Sequence, residues 1–131
     1  MREDEALRAA NAAYYLAFAR GDAEAMARLW AQEGVSCVHP GWPPLFGREA
    51  VLASYRDIFR NPLQEEIKLG AETVLRAEND GRVVCLEQVG QALLVATNWF
   101  RRVDSEWRLV HHQASPLTGG PAEAKMPATR H

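Results

Sequence analysis

Apolar residues recur at helical spacing through the first third of the chain and at alternating positions through the second half. Leu7, Ala10, Tyr14, Ala17 and Phe18 make one helical stripe, with Arg2, Glu3, Glu5 and Arg8 on its wet side. Gly21 closes this helix and Asp22 caps the next, whose inward residues are Met26, Leu29 and Trp30. Gly34 ends the second helix, and residues 35–39 (VSCVH) read as a short strand. A proline-stiffened loop over 40–47 carries Trp42 and Phe46 as apolar anchors. A third helix is predicted from about Arg48 to Arg60, striped by Val51, Tyr55, Ile58 and Phe59 and stopped by Asn61-Pro62.

From Ile67 the period changes from helical to two. Ile67, Leu69, Ala71, Thr73, Leu75 and Ala77 alternate with charged residues, which predicts a strand with one buried face. Asn79-Asp80-Gly81 is expected to turn the chain into a strand over 83–89, and 93–103 and 107–115 to form a closing hairpin about Asp104-Ser105. The pattern describes one α+β domain over 1–116, with three N-terminal helices packed on an antiparallel sheet. Residues 117–131 lack periodicity and are expected to be a loose tail.

Hairpin geometry assigns faces. A three-residue loop with Gly81 left-handed pairs Ala77 with Val83, Leu75 with Cys85 and Thr73 with Glu87, on the helix-covered side. A two-residue turn at Asp104-Ser105 pairs Phe100 with Leu109, Asn98 with His111 and Ala96 with Gln113 on that same side. Along these strands the inner face grades from apolar to polar, as a small-molecule pocket does. The outer face then holds Val74, Val84, Leu86, Trp99, Val110 and His112, too apolar for a monomer, so a homodimer through it is expected. A one-residue slip would exchange the two faces.

Composition removes several classes of function. The chain of 131 residues is 47% hydrophobic and 24% charged with a net charge of −2, which suits one globular domain and offers no basic stripe for nucleic acid. No apolar run is long enough to span a membrane, and the first twenty residues are charged and helical rather than signal-like. Cys37 and Cys85 form no ligand spacing and read as reduced thiols of a cytoplasmic protein. His111 and His112 are strand neighbours that point to opposite faces, so they cannot chelate together; neither a metal nor a cofactor is expected.

The element order resembles that of the nuclear transport factor 2-like superfamily. Locally, Val38-His39-Pro40 followed by Phe46-Gly47-Arg48-Glu49-Ala50-Val51 resembles the strand–loop–helix passage of SnoaL-like domains. Thr97–Arg102 and Trp107–Ser115 are similar to their closing hairpin and to that of the association domain of calmodulin-dependent kinases. The resemblance covers roughly residues 5–116. It implies a cone-shaped, cystatin-like fold with one cavity between helices and curved sheet, and usually a dimer. It implies no single mechanism, because one fold hosts many activities. The paired acids and phenol of ketosteroid isomerases have no clear match here.

Candidate chemistry follows from the faces. His111 is the expected proton-transfer residue, with Glu87, a carboxylate among apolar neighbours, as its partner or as a general base. Asn98 or Tyr55 is expected to donate to a ligand oxygen. Tyr14, Trp30, His39, Trp42, Tyr55, Phe59, Asn98 and Gln113 are expected to surround a small apolar molecule. Three functions compete on these residues: an acid–base isomerase, dehydratase or cyclase, a non-catalytic binding module, and a dimerisation module.

Overall fold

The computed structural model describes residues 2–118; the expected tail from 119 onward lies outside the described residues. Three helices, α1 (Arg2–Arg20), α2 (Ala23–Leu29) and α3 (Arg48–Phe59), cover one side of a curved sheet. The strands are β1 (Ser36–Val38), β2 (Leu45–Phe46), β3 (Ile67–Arg76), β4 (Asp80–Val89), β5 (Ala92–Val103) and β6 (Glu106–Pro116). They run in the order β2-β1-β6-β5-β4-β3, antiparallel except where β1 lies parallel to β6.

Local chemistry places the helices. α1 buries Leu7, Asn11, Tyr14 and Ala17, and its acidic first turn suits the positive end of the helix dipole. Gly21, at φ 60°, ends it in a Schellman pair: Gly21 N–H donates to Phe18 C=O at 3.1 Å and Asp22 N–H to Ala17 C=O at 3.0 Å. Asp22 then caps α2 by accepting from Ala25 N–H at 3.0 Å. Arg48, opening α3, donates to the carbonyls of Ala27, Trp30 and Ala31, so one guanidinium ties the end of α2 to the start of α3. Leu45–Phe46, expected as loop, pairs with β1 as a two-residue strand.

The core lies between α1, α3 and the sheet. Trp30, Tyr14, Tyr55, Phe100, Leu7, Met26 and Leu109 are all below 2% exposed. Its apolar area supplies the main driving force, at roughly 25 cal/mol per Å² buried.

Two registers differ from expectation. Between β3 and β4 the turn falls at Glu78-Asn79, with Ala77 N–H donating to Asp80 C=O, and Leu75 pairs with Arg82, Val74 with Val83 and Glu72 with Cys85. The pairing is thus offset by three residues from the expected one, which exchanges the faces of β3. Val74 packs on the core, and Leu75 is exposed. Gly81 serves a different purpose from the expected left-handed turn. A Cβ there would sit 2.5 and 2.9 Å from the δ carbons of buried Leu7, so the missing side chain is the notch into which α1 settles. Gly81→Ala is therefore expected to cost about 1–3 kcal/mol in urea unfolding. The Leu7→Ala/Gly81→Ala double variant should lose less than the sum of the single losses.

The second difference lies in β5–β6. The turn at Asp104-Ser105 is as expected, with φ of 51° and 68°, and Phe100 pairs with Leu109. A β-bulge follows, because Trp99 pairs with His111 and Asn98 with His112, leaving Val110 as the extra residue. Beyond the bulge every residue of β6 is turned over. His112, expected outside, is buried; His111, expected inside, lies on the outer face.

Candidate active site

A cavity of about 320 Å³ opens between the helices and the inner face of the sheet. Apolar walls come from Phe18, Ile58, Ile67, Val89, Ala92 and Leu94, and Pro40, Trp42 and Gln64 lie among its lining. Its polar groups are Tyr14 from α1, His39 beyond β1, Glu87 from β4 and His112 from β6.

His112 is 3% exposed and its Nδ1 lies 2.6 Å from Asn98 Oδ1. An amide oxygen only accepts, so Nδ1 carries the proton. Nε2 has no hydrogen-bond partner among the described residues, and it keeps its lone pair. Burial pushes the His112 pKa down to about 3, with the neighbouring His39 and His111 adding to the shift. The ring is therefore neutral at physiological pH.

His39 is buried beside it, the two rings 6.1 Å apart. The Ser54 hydroxyl donates to Val51 C=O at 2.6 Å, so it accepts from His39 Nε2–H at 2.8 Å. Burial lowers the His39 pKa to about 4. Trp42 and Tyr55 hold the ring edge-on, each with its centroid 4.9 Å away.

Glu87, 2% exposed, accepts from the Tyr15 hydroxyl at 2.5 Å. Burial raises its pKa, and the hydrogen bond from Tyr15 opposes that shift. The site thus combines two histidines held neutral with one carboxyl pushed towards its acid form. Such a separation is what lets one cavity both accept and supply a proton. The Tyr14 and Tyr55 hydroxyls bond each other at 2.7 Å, and burial holds both well above the ordinary phenol pKa. Burial also pushes the Cys37 thiol up to about 12 and Cys85 up to about 11, which leaves neither as a nucleophile.

The expected site residues divide into four groups. Tyr14, His39, Trp42 and Glu87 line the cavity. Asn98 and Tyr55 stand one layer back, Asn98 against His112 and Tyr55 against His39 and Tyr14. Phe59 lines a neighbouring cavity of about 480 Å³, which shares Phe18, Gln64 and Ile67 with the first, and Trp30 lies in the core towards a separate surface depression. His111 and Gln113 are outside: Gln113 is exposed, and His111 bonds Ser36 Oγ at 2.7 Å and Gln113 Oε1 at 3.0 Å. The bulge at Val110 moves both.

Asn11, Tyr15 and the inward role of His112 were not foreseen. Asn11 sits four residues after Leu7 on the α1 stripe, and a polar residue at a buried helical position is itself a signal. Among the described residues, no group of three or more His, Cys, Asp or Glu side chains is arranged to hold a metal ion.

The SnoaL-like domain family matches residues 7–119, and the chain belongs to it. A crystal structure of a candidate dehydratase of the NTF2-like family from Streptomyces avermitilis is 38% identical, over 90% of this chain and 98% of that one, with a TM-score of 0.82. A candidate calcium/calmodulin-dependent protein kinase type II association domain from Thiobacillus denitrificans is 32% identical, over 85% and 94%, with a TM-score of 0.77. An NTF2-like protein with a cystatin-like fold from Novosphingobium aromaticivorans, 23% identical over 98% and 90% with a TM-score of 0.71, shares the fold. No functionally curated protein matches the chain. No helix among the described residues is long and apolar enough to cross a membrane.

Proposed function

We propose that the chain catalyses an acid–base reaction, dehydration or isomerisation, on a small and largely apolar carbonyl compound bound in the inner cavity. The observation that carries this reading is His112: in the cavity lining, neutral, oriented through Nδ1 by Asn98, and with no hydrogen-bond partner for Nε2 among the described residues. In the dehydration, Nε2 removes a proton from the carbon next to the carbonyl. The electron pair left behind forms the C=C bond as the β C–O bond breaks, and Glu87 in its acid form gives its proton to the departing oxygen. Water leaves, His112 returns its proton to solvent, and Glu87 takes one up. General acid–base steps of this kind contribute roughly 10²–10⁴-fold each. The 38% identity to a candidate dehydratase supports the same reading.

The test does not require the natural substrate. A panel of β-hydroxy ketones and enones is incubated in D₂O and followed by NMR for deuterium at the α carbon and for loss of water. Ligands that bind in the cavity but exchange no faster than in buffer would leave a binding module in place of an enzyme.

A second reading, self-association through the outer sheet face, is favoured by the residues left there. Val84, Leu86 and Trp99 face outward, and Trp99 is 37% exposed. Its indole is held by a hydrogen bond to Asp80 and by the Arg82 guanidinium 5.0 Å from the ring. Val74 and Val110 pack on the core and His112 is buried, so the proposed face is narrower than the sequence suggests. The likeness to a candidate association domain supports this reading too. In sedimentation velocity the wild type should run as a dimer and Trp99→Arg as a monomer. A wild type that stays monomeric at high concentration would sink it.

A further inference from the structure

The cavity histidine is oriented by a chain of side chains that ends outside the cavity. His112 Nδ1 meets Asn98 Oδ1 at 2.6 Å, Asn98 Nδ2 meets Asn11 Oδ1 at 2.8 Å, and Asn11 Nδ2 meets Glu72 Oε2 at 2.9 Å. Asn11 and Asn98 are both fully buried. The Glu72 side chain is 21% exposed, and its other oxygen lies 4.0 Å from Arg8 Nε. Hydrogen bonds in such a chain have a direction, and a carboxylate is its only member that cannot donate.

We infer that Glu72 is a positioning residue that sets which ring nitrogen of His112 carries the proton. Because Glu72 accepts, Asn11 turns its NH₂ towards it and its carbonyl towards Asn98. Asn98 must then present its NH₂ to Asn11 and its carbonyl to His112. His112 is left with one way to complete the chain: Nδ1–H donates, and Nε2 keeps the lone pair for the cavity. A side branch acts in the same sense. Asn98 Nδ2 also donates to the Tyr15 hydroxyl at 3.1 Å, and the Tyr15 hydroxyl donates its own hydrogen bond to Glu87 at 2.5 Å. Two carboxyl oxygens, Oε2 of Glu72 and Oε2 of Glu87, thus accept at the ends of the two branches and hold one amide in a single orientation, and Glu72 does so from outside the cavity lining. A charge-assisted hydrogen bond is about twice as strong as a neutral one, which gives the Glu72 end the leverage to orient its neighbours.

This inference rests on the proposed role of His112, but its test needs no substrate. Two-bond ¹H–¹⁵N correlations in histidine-labelled protein report directly which ring nitrogen is protonated. At neutral pH the wild type should show His112 as the Nδ1–H tautomer. Glu72→Gln keeps the shape but lets residue 72 donate as well as accept. The ratio of Nε2–H to Nδ1–H should rise about five-fold, limited by the Tyr15 branch. The double variant Asn11→Asp/Glu72→Gln moves the acceptor one link inward, since a carboxylate in place of the Asn11 amide can only accept, and should restore the wild-type tautomer. A merely structural role for Glu72 predicts no such rescue.

An unchanged tautomer in Glu72→Gln, or a wild type already protonated at Nε2, would overturn the inference. The two failures are separable. Deuterium exchange by the wild type with no tautomer response in Glu72→Gln sinks the relay alone. A tautomer response without exchange on any cavity ligand sinks the enzymatic reading alone.

Discussion

His112→Gln is expected to lower the rate of α-proton exchange by two to four orders of magnitude while ligand affinity changes less than about ten-fold. Glutamine fills most of the imidazole volume and can still bond Asn98, but it offers no basic nitrogen to the cavity. The companion variant is His111→Gln. Its ring lies on the outer face between Ser36 and Gln113, so its loss should change the rate less than about two-fold. The pair separates two adjacent residues of the same type that the bulge sends to opposite sides of the sheet. Loss of exchange in His111→Gln with a normal rate in His112→Gln would refute the site. The acid limb of the pH profile is diagnostic too. With His112 held near 3, the base stays active well below pH 6, where an ordinary histidine would already be protonated.

The second large effect is on stability in acid. His112 and His39 have folded pKa values of about 3 and about 4 against an unfolded value of 6.5. Their folded values are depressed, so between the folded and unfolded values the unfolded chain binds more protons than the folded one. Stability from these two residues is therefore complete above pH 6.5 and drains away as pH falls towards 4. At 1.36 kcal/mol per unit the two together remove on the order of 5 kcal/mol by about pH 4. That approaches the whole stability of an ordinary domain, roughly 5–15 kcal/mol. Glu87 has the opposite sign. Its raised pKa contributes stability that is full below its unfolded value of 4.5 and is lost as pH rises through the folded value. Chemical denaturation at pH 7, 5.5 and 4.5 should show a steep loss in the wild type and a much shallower one in His39→Gln/His112→Gln. Parallel slopes in the two proteins would show that other groups govern acid unfolding.

Much of this was legible in the residues themselves. Helical spacing with Gly21, Asp22 and Asn61-Pro62 as punctuation located the starts of all three helices and the ends of α1 and α3, because caps and breakers act within a few residues of where they stand. α2, by contrast, stops at Leu29, well before the expected Gly34. Glu87 was placed inside through a hairpin register that the structure replaces, and the placement survives because Glu87 alternates with Val83 and Cys85 on one strand, a parity that does not depend on the partner strand. Pairing between strands is a different matter. The β3–β4 register turns on whether Gly81 bends the chain or makes room for Leu7, and the second reason is a contact between residues far apart in the chain. The bulge at Val110 has no glycine or proline to mark it. It exchanged His111 for His112 as the cavity residue while leaving the turn and the first half of the hairpin as expected. Asn11 was visible as a polar residue on an apolar stripe, but its purpose needed Glu72 and Asn98 in place.

Arg48, with its three carbonyl partners at the end of α2, has a consequence for how a molecule reaches the cavity. With α2 and α3 tied end to end, parting the two helices to admit a guest means breaking a half-buried, charged clamp. No α2 residue lines the cavity, and the less tightly held parts of its wall lie away from this clamp. Two segments fit: the proline-rich stretch from Pro40 to Pro44, whose Trp42 leans over His39, and the run from Asn61 to Glu66, which contributes Gln64. Both are exposed, and both lie outside helix and strand. The histidines and Glu87 sit instead on or beside the strands, so these two segments are the parts of the wall whose shift leaves the polar groups in place.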